Sequence, residues 1–142
     1  MTVVEQLKKR SMALRKERNP IAPSIQFALS EIEKVGKNSG NRETTEDEAI
    51  RVVQKLIATI DENLRVVDSD GHRIALNFEK QILQEVLPQM ASEEEVRSLL
   101  TDILGTAAPK NKGVAMKVIR DEFGAKVDMK RAGEIVTEMY GI

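Results

Sequence analysis

Residues 111–140 read NKGVAMKVIRDEFGAKVDMKRAGEIVTEMY, and the fold turns on how this stretch is parsed. Ala115, Ile119 and Phe123 recur at helical spacing with Met116 and Val118 beside them, and Gly124 stands where that helix would stop. Asp128 is placed to cap a second helix, whose inner face is Met129, Ala132, Ile135, Val136 and Met139. The stretch is therefore two short amphipathic helices joined by FGAKVD. Upstream, Ser92 and Glu95 in ASEEEV form a capping box, in which hydroxyl and carboxylate each satisfy a backbone N–H that the first turn leaves without a partner. The helix they open turns Val96, Leu99, Leu100 and Ile103 inward and ends at Gly105. Residues 92–140 thus predict a small three-helix bundle. The LPQMASEEE segment before it is a sharp corner and the natural module boundary.

The chain ahead of that corner is also helical in pattern. Residues 3–17 place Val4, Leu7, Ser11 and Leu14 on one face, with Lys8, Lys9, Arg10, Arg15, Lys16 and Arg18 around it. That basic cluster could touch phosphates or a membrane surface; periodicity alone favours a solvated helix face. Asn19-Pro20 breaks the helix. Pro20 and Pro23 fit a first turn, and Ile21, Ile25, Ala28, Leu29, Ile32 and Val35 follow, with a stop expected near Gly36. Thr45 and Glu48 form another capping box, leading into a core stripe of Ala49, Val53, Leu56, Ile57, Ile60 and Leu64. Residues 64–76, LRVVDSDGHRIAL, suit either a hairpin around Asp70-Gly71 or a helix–turn–helix, the second favoured by helical surroundings. Ala75, Phe78, Ile82 and Val86 carry a fourth helix, which Pro88 ends.

Composition narrows the chemistry. With 41% hydrophobic and 32% charged residues, the chain is neither disordered nor membrane-embedded by composition. No apolar run approaches the roughly 18–20 residues a bilayer span needs, and MTVVEQLKKR lacks a signal-peptide pattern, so a cytoplasmic location is expected. The absence of cysteine excludes disulfides, thiolate metal sites and a Cys nucleophile. His72, the one histidine, lies in DSDGHR and reads as a solvated loop residue rather than a general base. A calcium-loop reading of DSDG fails, since Gly71 in the glycine position puts Val66 first and Asn77 last. No phosphate-cradling glycine loop, G-x-S-x-G elbow or H-E-x-x-H pair is present. The acidic triplets at 46–48 and 93–95 meet the positive ends of helix dipoles, a plainer role than metal binding. The methionines read as core filler. No catalytic residue, metal site or cofactor is expected.

The net charge of −1 is unevenly spread, with +5 over residues 1–42, −8 over 43–105 and +2 over 106–142. A protein gripping nucleic acid mainly by phosphates would carry a stronger basic stripe. Three Phe, one Tyr and no Trp leave little for stacking on an open single strand.

The order and spacing of several strings resemble the GatB/YqeY family, small proteins related to the tail of the B subunit of the tRNA-dependent amidotransferase. PIAPSIQFALSEIEKV looks like that family's first long apolar helix. TTEDEAIRVVQKLIATIDENL resembles its acid-capped helix, with Val53, Gln54 and Lys55 in place. ILQEVLPQMASEEEVRSLL is similar to its Leu-Pro corner through Leu87, Pro88, Ser92, Glu93, Glu94 and Glu95. The tail keeps Met116, Ile119, Asp128, Lys130, Ile135 and Val136. The resemblance covers residues 19–140, and the first helix less fully.

It implies an all-α chain, with an N-terminal helical domain at 1–90 and a tail-like helical domain at 91–142. It also implies a non-catalytic protein whose tail binds tRNA or a tRNA-handling enzyme, with no DNA or membrane partner. Carbon–nitrogen ligase activity with glutamine as amido donor attaches only by relationship. The candidate RNA contacts are Lys110, Lys112, Lys117, Lys126 and Lys130. The rival reading is a protein–protein interaction module without RNA binding, supported by the acidic middle and by lost arginines; two departures from the family pattern count against RNA binding. The family's basic K-Q-R-R surface becomes Ala58, Thr59, Ile60, Asp61. Its G-R-A-D-G turn becomes Ala125, Lys126, Val127, Asp128, Met129, a stiffer segment.

Overall fold

Side-chain caps decide where most of these helices begin. In a computed structural model describing residues 1–142, the chain forms α1 Val3–Lys16, α2 Ala22–Asn38, α3 Glu46–Val66, α4 Asp70–Val86, α5 Glu93–Leu104, α6 Lys112–Phe123 and α7 Met129–Tyr140. A 3-10 turn at Gly124–Lys126 joins the last two, and there is no strand. Thr2 with Glu5, Thr45 with Glu48, and Ser92 with Glu95 form reciprocal capping boxes on α1, α3 and α5. The Ser69, Asn111 and Asp128 side chains accept from the first turns of α4, α6 and α7. The protein is all-α, in two compact units, Met1–Pro88 and Gln89–Ile142.

In the first unit α1 packs on α2, α3 and α4, α2 on α3, and α3 on α4. Leu7, Ile25, Ile50, Ile82 and Leu83 are fully buried at its centre. Each such side chain contributes about 1.5–3 kcal/mol relative to an exposed one. On α1 the inward register is Val3, Leu7, Ser11 and Leu14. Val3 rather than Val4 faces the core. Glu46 ties the same end to α3, its carboxylate accepting from the Val3 N–H at 3.0 Å.

The stripe on α3 is narrower than periodicity suggests. Ala49, Ile50, Val53 and Ile60 are buried, whereas Leu56, Ile57 and Leu64 are only half-buried. Ile60 is a core residue and Asp61 pairs with Lys80 at 2.6 Å. Of residues 58–61, Ile60 thus fills the core and Asp61 ties α3 to α4. On α4, Leu76 and Leu83 join Ile82 and Val86 inside, and Ala75 and Phe78 are half-buried.

Residues 64–76 form a helix–turn–helix rather than a hairpin. Arg73 reaches back from α4 to donate to the Val67 carbonyl at 2.8 Å and the Leu64 carbonyl at 3.2 Å. Those carbonyls belong to the end of α3, where the helix itself supplies no donor. His72 lies in the first turn of α4, not in a loop, and is exposed.

Gly36 does not end α2, which runs on to Asn38. The following segment folds back over Gly36. A Cβ there would sit 2.6 Å from the Thr44 nitrogen and closer still to the Arg42 carbonyl oxygen. The Gly36 N–H donates to Thr44 Oγ1 at 3.0 Å, and the Thr44 hydroxyl donates to the Ile32 carbonyl at 2.5 Å. Glycine is needed here for close approach, not for termination.

Candidate functional site

The tail unit is built on one small core of Val96, Leu100, Ala115, Ile119, Val127, Ala132, Ile135 and Val136. α5, α6 and α7 all pack on one another. Ile103, expected inward, is 58% exposed: three helices bury a narrower arc of α5 than its apolar run offers. Met116, Met129 and Met139 pack at the core edge, but Met12 in the first unit is 57% exposed and is not core filler.

The turn between α6 and α7 is part of this core. Gly124 takes φ 55°, in the left-handed region glycine tolerates. Ala125 and Val127, two of the residues that depart from the family turn, are buried. The Ala91 N–H donates to the Lys126 carbonyl at 2.7 Å, pinning the turn to the start of the unit. The Asp128 carboxylate accepts from the Lys130 N–H at 3.0 Å and opens α7.

All five candidate lysines are exposed, and none forms an ion pair. Only two of them meet. Lys112 and Lys130 line one open groove of about 720 Å³ between α6 and α7, with Met116, Met129, Thr137 and Gly133. The Lys112 ammonium donates to Thr137 Oγ1 at 3.2 Å. Its stem crosses Gly133, where a Cβ would stand 3.4 Å from Lys112 Cε. Glu134 and Glu138 share the groove, so it is not purely cationic. Lys117 lies five residues beyond Lys112 and about 140° around α6, away from the groove. Arg120, which the motif reading passed over, is exposed three residues past Lys117 and belongs to the same outer face. Its signal was the i, i+3 spacing of two cations. Lys110 precedes α6, and Lys126 sits in the 3-10 turn.

The other tail arginines are engaged. Arg131 donates through Nε and Nη2 to Glu93 at 2.5 and 3.0 Å, and through Nη1 to Glu134 at 2.9 Å and Glu138 at 3.1 Å. Arg97 donates to Glu138 at 2.5 Å. The hydrogen bonds to Glu93, then Glu134 and Glu138, push the Arg131 guanidinium further toward its charged form. In return Arg131 lowers the Glu93 carboxyl, and Arg97 with Arg131 lowers that of Glu138. These groups are solvent-exposed, so each pair is screened and modest. Together they clip α5 to α7.

No group of three or more His, Asp or Glu side chains is placed to hold a metal ion. Burial raises the carboxyl of Glu79 on α4, which forms no ion pair. No helix is long and apolar enough to cross a membrane.

Fold and surface together define the class: a small all-helical protein, a four-helix unit and a three-helix tail whose arginines are largely paired internally and whose lysines form no ion pair. The chain belongs to the YqeY-like protein family, whose family model matches residues 4–140. No curated protein matches it.

Proposed function

We propose that this is a non-catalytic cytoplasmic protein whose tail, residues 91–142, docks on structured RNA, foremost tRNA, or on a tRNA-handling enzyme. The observation that carries the reading is the set of exposed lysines without ion pairs just before and on α6, on the turn and at the start of α7, set beside the resemblance to a tRNA-associated tail. Lys112 and Lys130 would act as a pair on neighbouring phosphates across the groove, with Lys110, Lys117 and Lys126 as single positioning charges. Phosphate contact of this kind fixes orientation without reading sequence. The kinship to a carbon–nitrogen ligase with glutamine as amido donor is one of descent, and ammonia production and amidation belong to other polypeptides.

The test is tRNA binding by the whole protein at low and moderate salt, with the five lysines intact or changed to glutamine. The expected result is binding that weakens with salt and falls at least tenfold in the glutamine variant. Equal affinity of the two proteins would remove the tail from the reading. A cytosolic partner that survives RNase and maps to residues 43–105 would favour a protein-interaction module instead.

A further inference from the structure

The tail is not where the chain carries its densest free positive charge. On α1, Lys8, Lys9, Arg15 and Lys16 are all exposed. None makes an ion pair or a side-chain hydrogen bond. The neighbouring Arg10 alone reaches an acid, Glu85, at 3.9 Å. At 100° per residue the four cations occupy about one third of the helix circumference, opposite the buried Val3, Leu7, Ser11 and Leu14. They form two pairs, Lys8 with Arg15 and Lys9 with Lys16, each separated by about 10.5 Å along the axis. The one acid within this arc, Glu5, is turned back to the Thr2 N–H at 3.1 Å in the capping box. In the tail, by contrast, Arg97 and Arg131 are both held by carboxylates.

We propose that the outer face of α1 is a second nucleic-acid surface, gripping the phosphates of a double-helical RNA stem through Lys8, Lys9, Arg15 and Lys16. This rests on the reading that the protein handles structured RNA, but it places part of the electrostatic grip outside the tail. Charge complementarity selects the occupant. A protein interface of useful affinity is organised around a buried apolar or aromatic centre, and the only large apolar side chain in this arc is Met12. A helix lying in a membrane surface sinks its apolar face into lipid, and the apolar face of α1 is already in the protein core. Phosphates ask only for cations on long side chains. With no aromatic on α1, bases of an open strand would find nothing to stack on, which favours a duplex stem.

The experiment titrates the full chain with tRNA over a salt series, using wild type and two variants. The first is Lys8→Gln with Lys9→Gln, Arg15→Gln and Lys16→Gln; the second carries the five tail lysines as glutamine. A charge-keeping control, Lys8→Arg with Lys9→Arg, Arg15→Lys and Lys16→Arg, guards against a folding artefact, as does an unchanged helical melting curve. The expected result is at least a tenfold loss of affinity for the α1 variant, rescue by the control, and a log–log salt slope shallower by about 3.6, at roughly 0.9 per phosphate contact for four contacts. An α1 variant that binds with wild-type affinity and slope while the tail variant fails overturns this inference and leaves the tail reading standing. The reverse pattern supports it and removes the tail. No tRNA binding by wild type, or α1-dependent binding only to phosphatidylserine vesicles, also overturns it.

Discussion

At Glu48 one carboxylate accepts from the Thr45 N–H at 2.9 Å and from both terminal nitrogens of Arg42 at 2.8 and 2.9 Å. The Arg42 guanidinium, then the Thr45 N–H, lower its pKa to about 2. A depressed carboxyl contributes stability that is complete above its unfolded value, about 4.3, and is lost as pH falls toward 2. Thermal melts from pH 5 to pH 2 should therefore show an acid-side decline that is smaller in Glu48→Gln, whose side chain cannot titrate. Gly36 makes a sharper demand. Gly36→Ala should destabilise the first unit by about 1–3 kcal/mol, because the added carbon meets backbone and not a movable side chain; chemical denaturation measures it. The cap at Thr45 was legible because its partner lies three residues away. The need for glycine at 36 was not, because the atoms that require it, at 42–44, arrive there only through the fold.

At the scale of elements, sequence order predicted the helices well and their buried arcs less well. Caps and stops are local chemistry, and Thr45, Ser92, Gly105, Gly124 and Asp128 all stand where periodicity and polarity put them. How much of a stripe is buried depends on how many helices face it, which explains the exposure of Ile103 and the half-burial of Leu56 and Ile57. The Arg131 network was illegible for a related reason: Glu93 and Arg131 are far apart in sequence and meet only once α5 packs on α7. Arg131→Met should lower the melting temperature of the tail at low salt, with the difference shrinking as salt rises; calorimetry at two ionic strengths decides it. Tyr140 closes the other end of α5, donating to the Gly105 carbonyl at 3.0 Å with the Leu100 carbonyl at 3.3 Å. Tyr140→Phe should cost about 1 kcal/mol in denaturant unfolding.

For the whole molecule, the candidate site was half legible. The five lysines are exposed as free cations should be, yet only Lys112 and Lys130 share a groove. Spacing along a chain cannot show which side of a helix its neighbours cover. Each unit owns its apolar centre, and a fragment spanning Gln89–Ile142 should be helical and melt cooperatively at a low temperature, since a domain of this size buries little surface. A non-cooperative circular-dichroism melt would count against that.

The bond from the Ala91 amide to the Lys126 carbonyl also turns a structural strut into a reporter. An amide proton held in a 2.7 Å bond exchanges with solvent only when that bond breaks, so its deuteration rate measures how often the turn and the Ala91 segment part. A ligand seated on that turn would slow the exchange at Ala91, and one bound solely along α1 would leave it alone. A single resonance would then say whether a given RNA has chosen the turn.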